Sequence, residues 1–149
     1  MAQAATTVHA SAVLVGARAV LIRGPSGAGK SRLALALIEA ARTGTLRFAR
    51  LVGDDRVHLE PANGRLLVRP AQALAGLIEV RGVGIRRLDY EPHAVVGLVV
   101  DLAAADAERL PETERQHTVI AGLSLPRLAI AAGQEALPAV LAALTSAVL

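Results

Sequence analysis

Short apolar runs of strand length alternate with turn residues along most of this chain, and the spacing switches to a helical period in two places. Residues 12–15 and 19–22 are β-prone runs separated by Gly16, Ala17 and Arg18, which predicts a hairpin. A glycine-rich segment follows at 24–31, and then Leu33, Leu37, Ile38 and several alanines recur at helical spacing to about Ala41. Next come a predicted strand over 46–52, an acidic pair at Asp54 and Asp55, and a second hairpin turning over 61–64. Residues 77–80 read as a short strand, broken by an irregular loop over 81–85 with two glycines. The near-continuous apolar run 95–100 has the character of a buried, central strand. Polar residues 106–116, with Pro111 among them, predict a surface loop or short helix. Further strands are expected at 117–120 and 128–131, and a closing helix over 134–149 carries Pro138 in its first turn. Residues 1–7, small and polar, are expected to fray.

Strands alternating with helices in 149 residues, 53% of them apolar, predict one α/β domain over 1–149. Phe48 and Tyr90 are the only aromatic residues, so Val, Leu, Ile and Ala must build the core, and a stacking surface for single-stranded nucleic acid is missing. The net charge of +3 comes with arginines scattered from Arg18 to Arg127 rather than in a basic stripe, and no nucleic-acid partner is expected. The absence of cysteine excludes disulfides, thiolate zinc sites and thiol nucleophiles. No apolar run approaches the roughly 18 residues of a membrane span. No basic residues precede the first apolar stretch, so no membrane association is expected and the expected compartment is the cytoplasm.

The most specific chemical signal is Gly24, Pro25, Ser26, Gly27, Ala28, Gly29, Lys30 and Ser31, a full match to G-x-x-x-x-G-K-[ST] between a predicted strand and a predicted helix. Glycines let backbone N–H groups turn inward around phosphate oxygens, and the following helix offers its positive end to the same anion. Lys30, the sole lysine, supplies a charge for the β- and γ-phosphates of ATP, and the Ser31 hydroxyl can ligate Mg²⁺.

Three positions compete for the acidic partner of such a site. Asp101 ends the apolar run 95–100, where the second acidic motif of an ordinary P-loop enzyme lies, but a strand-end carboxylate can also be structural. Asp54 and Asp55 are either solvated turn residues or include a proton acceptor for an incoming hydroxyl. Glu79 sits among apolar neighbours, where a carboxylate calls for a cation, either Mg²⁺ or Arg81. His9 precedes the first hairpin and can approach the loop from an adjacent strand, whereas His58, His93 and His117 show no metal-ligand spacing.

The combination of the phosphate loop, the Leu51-Val52-x-Asp54-Asp55 stretch and the segment Leu77-Ile78-Glu79-Val80-Arg81-Gly82-Val83-Gly84-Ile85 resembles the catalytic domain of HPr kinase/phosphorylase over about residues 9–130. That resemblance implies a P-loop core with a mixed β-sheet, related to phosphoenolpyruvate carboxykinase. It also implies ATP-dependent phosphorylation of a serine in an HPr-type phosphocarrier protein, with reverse phosphorolysis giving pyrophosphate. Carried over by position, Asp55 becomes the proton acceptor, assisted by His9. Lys30 holds phosphates, and Ser31 and Glu79 ligate Mg²⁺. Arg109 aligns with the family's catalytic arginine and Asp101 becomes a structural acid.

Two features depart from the family pattern. Long members carry an additional N-terminal domain, whereas this sequence opens almost at the catalytic core. The late loop used in dephosphorylation corresponds here to Leu123-Ser124-Leu125-Pro126-Arg127, shorter and with Arg127 as its one arginine. The family is commonly hexameric, so a homo-oligomer is expected. A P-loop kinase for a small molecule, or a nucleotide sensor without catalysis, are the competing functions for a phosphate loop of this kind.

Overall fold

The computed structural model describes residues 7–146. Its strands are β1 (Thr7–His9), β2 (Ser11–Val15), β3 (Arg18–Arg23), β4 (Ala49–Gly53), β5 (Arg56–Ala62), β6 (Arg65–Pro70), β7 (Leu77–Val80), β8 (Gly84–Arg87), β9 (Ala94–Asp101), β10 (His117–Ile120) and β11 (Leu123–Ala129). Two helices, α1 (Lys30–Arg42) and α2 (Ala136–Thr145), complete the α/β fold, with short 3₁₀ turns at Gln72–Leu74 and Thr113–Gln116. Neither helix is long and apolar enough to cross a membrane. The expected fraying over 1–7 lies outside the described residues except at Thr7, which is already in β1.

Among the described residues nine strands form one mixed sheet, seven of them in the order β1-β5-β6-β9-β3-β2-β4 and two, β11 and β10, branching from β9. One edge of β9 pairs in parallel with β3. Its other edge is divided between β6, antiparallel at Ala94 and Val95, and β11, parallel at Val99 to Asp101. β10 extends the sheet beyond β11, while β7 and β8 form a separate hairpin.

Both faces of the central strands are buried, which is why they read as unbroken apolar runs instead of an alternation. Val13, Val20, Ile22, Leu51 and Val100 point toward α1 and α2, where Leu33, Ala34, Leu37 and Ala40 form the inward stripe of α1 and Val140 anchors α2. Their neighbours Ala12, Ala19, Leu21, Val52 and Val99 point to the other face. There the curled sheet brings Val57, Leu66 and Val68 of β5 and β6 against them. Gly53 marks the closest approach: a Cβ there would lie 2.7 Å from Val57 Cγ1 and 3.2 Å from Pro70 Cα.

Several boundaries differ from the sequence reading. β4 begins at Ala49, not at residue 46, because the exit from α1 occupies the intervening residues, with Leu46 N–H donating back to Ala40 O. The β5–β6 turn is only Asn63-Gly64, both at positive φ (53° and 76°), so Pro61 and Ala62 belong to the strand. The expected irregular loop after β7 is a tight turn, because Gly84 and Ile85 pair with Val80 and Glu79 in β8. β11 starts at Leu123, five residues earlier than expected. Pro126 is accommodated because its register partner is His117 of β10 and the pairing with β9 begins only at Arg127. The closing helix begins at Ala136, and residues 147–149 of the expected span lie outside the described residues.

Candidate active site

β3 ends at Arg23 and the phosphate loop follows directly, so Gly24 to Gly29 turn at the end of a central strand and deliver Lys30 as the first residue of α1. Gly29 occupies the N-cap position at φ 100°, a left-handed conformation that favours glycine, and no side chain caps the helix. The first N–H groups of α1 are therefore left facing the loop, the arrangement that binds anions. Lys30 Nζ donates to the carbonyls of Gly24 (2.8 Å) and Pro25 (3.2 Å), which closes the loop on itself. Leu102, just beyond the end of β9, supports the loop from beneath. Its N–H donates to Arg23 O at 2.8 Å, and a Cβ on Gly24 would lie 3.0 Å from Leu102 Cβ.

The two adjacent aspartates divide sharply. Asp54 is buried and accepts from Ser31 Oγ at 2.8 Å on each carboxylate oxygen, from Ser11 Oγ at 2.6 Å and from the Glu79 backbone N–H at 3.2 Å. It thus ties the phosphate loop, β2 and β7 together. Asp55 adopts φ 67°, a conformation tolerated by Asp in turns, and its side chain emerges into solvent. His9 Nδ1 stands 3.9 Å from Asp55 Oδ1. Asp54, Asp55, Leu74, Leu77, Ile78, Glu79 and Ile85 line one open pocket of about 170 Å³.

Glu79 is exposed at this pocket and not enclosed by its apolar neighbours, so the sequence-based need for a cation to relieve burial does not hold. The donor chemistry nevertheless suits Mg²⁺, which takes hard oxygen ligands. The Ser31 hydroxyl and the Glu79 strand are both held by the single carboxylate of Asp54.

Asp101 has a different job. Arg23 Nε and Nη2 donate to its two oxygens at 2.7 and 2.8 Å, and Arg127 Nε donates at 2.5 Å. Burial opposes its ionisation, but the hydrogen bonds and charges of Arg23 and Arg127 prevail and hold its carboxyl below the usual range. Arg127 also grips Asp106 with Nη1 and Nη2, at 2.8 and 2.9 Å, which lowers the Asp106 carboxyl and raises the guanidinium. Asp101 therefore braces the ends of β3, β9 and β11, as the structural reading expected. The segment carrying Arg127 is a strand and not the expected loop, and Arg127 donates to Asp101, to Asp106 and to Arg115 O. Arg109 is exposed on the segment after β9 and is not among the pocket-lining residues.

Sequence reasoning missed the importance of Ser11, buried on β2, and of Asp54, buried in the turn that follows β4. It also missed Arg56, whose Nη2 lies 2.9 Å from His9 Nε2.

The family model described as the HPr Serine kinase C-terminal domain matches residues 1–145. The chain belongs to that family. It is 35% identical over 136 residues to the HPr kinase/phosphorylase of Geobacillus thermodenitrificans, covering 84% of this chain and 42% of that protein. It is 44% identical over 81 residues to that of Streptococcus thermophilus, covering 54% and 24%. The chain thus spans less than half the length of these curated relatives. Its fold is similar to the solved HPr(Ser) kinase/phosphatase of Coxiella burnetii, with TM-score 0.68, 26% identity and 85% of each chain covered. The match extends across both the phosphate-loop half and the β5–β6 half, so the mixed P-loop architecture expected from the resemblance is the one present.

Proposed function

We propose that this domain transfers the γ-phosphoryl group of ATP to a serine of an HPr-type phosphocarrier, and that it runs the reverse reaction by phosphorolysis. The observation that carries this reading is the split of the aspartate pair: Asp54 is locked onto Ser31 of the phosphate loop while Asp55, the next residue, faces the open pocket. A carboxylate free to take a proton is thereby fixed beside the place where phosphate binds.

The loop backbone and the open N-terminus of α1 bind the phosphates, and Lys30 exchanges its carbonyl partners for phosphate oxygens. Ser31 and Glu79 would hold Mg²⁺, which when bound neutralises charge on the transferring group. In the forward direction Asp55 takes the serine proton as the new O–P bond forms and the bond to ADP breaks. In reverse, inorganic phosphate attacks phosphoserine, pyrophosphate forms, and Asp55 returns the proton to the serine oxygen. His9 orients the Asp55 carboxylate from β1. Arg109 is the further catalytic arginine of this scheme, and Arg127, bound to Asp101 and Asp106, stands in the segment assigned to phosphorolysis. The family's hexameric habit makes a homo-oligomer part of the proposal, and a cytoplasmic carrier places the enzyme in the cytoplasm.

The test is incubation with Mg-ATP and an HPr-type carrier, followed by mass spectrometry for phosphoserine, then addition of phosphate with assay of pyrophosphate. Phosphoserine formation that is lost in Asp55→Asn is the expected result. Transfer to a small metabolite without any carrier, or full activity of Asp55→Asn, would overturn the reading.

A further inference from the structure

His9 and Arg56 are register partners across the antiparallel β1–β5 ladder. Directly opposed residues in such a pair hold their Cβ atoms close, so the backbone itself brings the two side chains together. Arg56 Nη2 lies 2.9 Å from His9 Nε2, and Arg56 Nη1 donates to Thr7 Oγ1 at 3.2 Å, which steadies the guanidinium from a second side. Asp55 faces the opposite ring nitrogen, with Nδ1 3.9 Å from Oδ1. The charged groups that face the ring are therefore Arg56 on one edge and Asp55 on the other.

A guanidinium has five N–H donors and no acceptor, and it stays protonated in proteins. A contact of this length between Arg56 and His9 Nε2 is a hydrogen bond only if Nε2 offers its lone pair. The neutral ring then carries its one proton on Nδ1, the nitrogen turned toward Asp55. We propose that Arg56 is a positioning residue that fixes His9 in the Nδ1–H tautomer, so that the imidazole donates toward the Asp55 carboxylate and has no free nitrogen to receive a proton from it.

The consequence for chemistry rests on the role given to Asp55 under Proposed function. With Nδ1 already protonated and Nε2 occupied by Arg56, the proton that Asp55 takes from the serine has no path onto the imidazole. It leaves instead to the solvent, into which the Asp55 side chain emerges. His9 is thus an orienting donor and not a relay.

The test is ¹⁵N–¹H correlation spectroscopy of the histidine rings in the full ¹⁵N-labelled chain near neutral pH, with the His9 signals assigned by their loss in His9→Asn. Wild-type protein should show a protonated Nδ1 and a lone-pair Nε2. Arg56→Met should shift the ring to the Nε2–H form or to a mixture, and Arg56→Lys, which keeps a cationic donor, should restore the Nδ1–H form at least in part. An Nε2–H ring in wild type, or a pattern unchanged by Arg56→Met, would overturn the proposal. In the carrier assay Arg56→Met should lower kcat by about tenfold with an unchanged KM for ATP, because the change touches proton handling and not the phosphate loop. A tautomer that switches as expected while kcat stays at the wild-type level would sustain the Arg56–His9 assignment and refute the catalytic reading of Asp55 and His9.

Discussion

Ser31 Oγ sits 2.8 Å from both carboxylate oxygens of Asp54, so the last residue of the phosphate loop is fastened to the start of the acidic pair. Asp54 is 3% exposed and also satisfies Ser11 and the Glu79 N–H. Asp54→Ala would leave two hydroxyls and one amide without their partner in a water-poor site, at about 2 kcal/mol of stability. Urea unfolding should show a lower midpoint at unchanged slope, and phosphorylation of the carrier should fall to background. A stable and active variant would mean that Asp54 anchors nothing.

Gly24 leaves little room for a side chain. Its Cβ would press on Leu102 Cβ at 3.0 Å and on the Leu102 carbonyl at 3.2 Å, both close to the rigid end of β9. Gly24→Ala should therefore push the loop away from β9 and weaken ATP binding by about tenfold through misplacement of the phosphate-binding amides. Calorimetric titration with ATP measures this, and Gly27→Ala is the useful contrast, because no atom lies within 4 Å of the added carbon there and only its positive φ of 83° is strained.

Lys30 already bends back over the loop to the carbonyls of Gly24 and Pro25. Lys30→Ala removes both that clasp and the charge that meets the phosphates, and carrier phosphorylation should drop about 100-fold or more. Lys30→Arg should rescue little, since a broad planar fork cannot occupy the seat of a compact ammonium.

Asp101 carries the pH prediction. Its carboxyl is held below its ordinary value near 3.8, with burial outweighed by Arg23 and Arg127. A depressed folded-state value means stability that is full above the unfolded value and lost as pH falls through the folded one. Acid titration of the fold by circular dichroism should therefore show an Asp101-dependent loss beginning near pH 4 and continuing below it. Asp101→Asn should flatten that limb and cost about 2 kcal/mol at neutral pH, where it strips Arg23 of its counter-charge and leaves Arg127 with Asp106 alone.

Much of the site could be read from residue order alone. Gly24 to Ser31 declare their geometry because only glycines permit the turn and only a following helix completes it. The run 95–100 declares a central strand because both faces of β9 are buried. The roles within the Asp54-Asp55 pair could not be read the same way. Which carboxylate turns inward depends on the positive φ at Asp55, set by a tight turn in which Arg56 N–H donates to Asp54 O and Ala10 N–H to Asp55 O. The resemblance puts Arg127 in a loop, yet β11 runs through Pro126, which pairs there only with β10 and is tolerated. The Arg56–His9 contact depends on cross-strand register, which links positions 47 residues apart and leaves no local trace.

The divided edge of β9 stitches the helix-backed layer to the curled β5–β6 layer, and the run from β1, paired with β5, into β2, paired with β3 and β4, stitches them a second time. In deuterium labelling the amides of Val99 and Val100 should exchange last, and at the rate of whole-molecule opening.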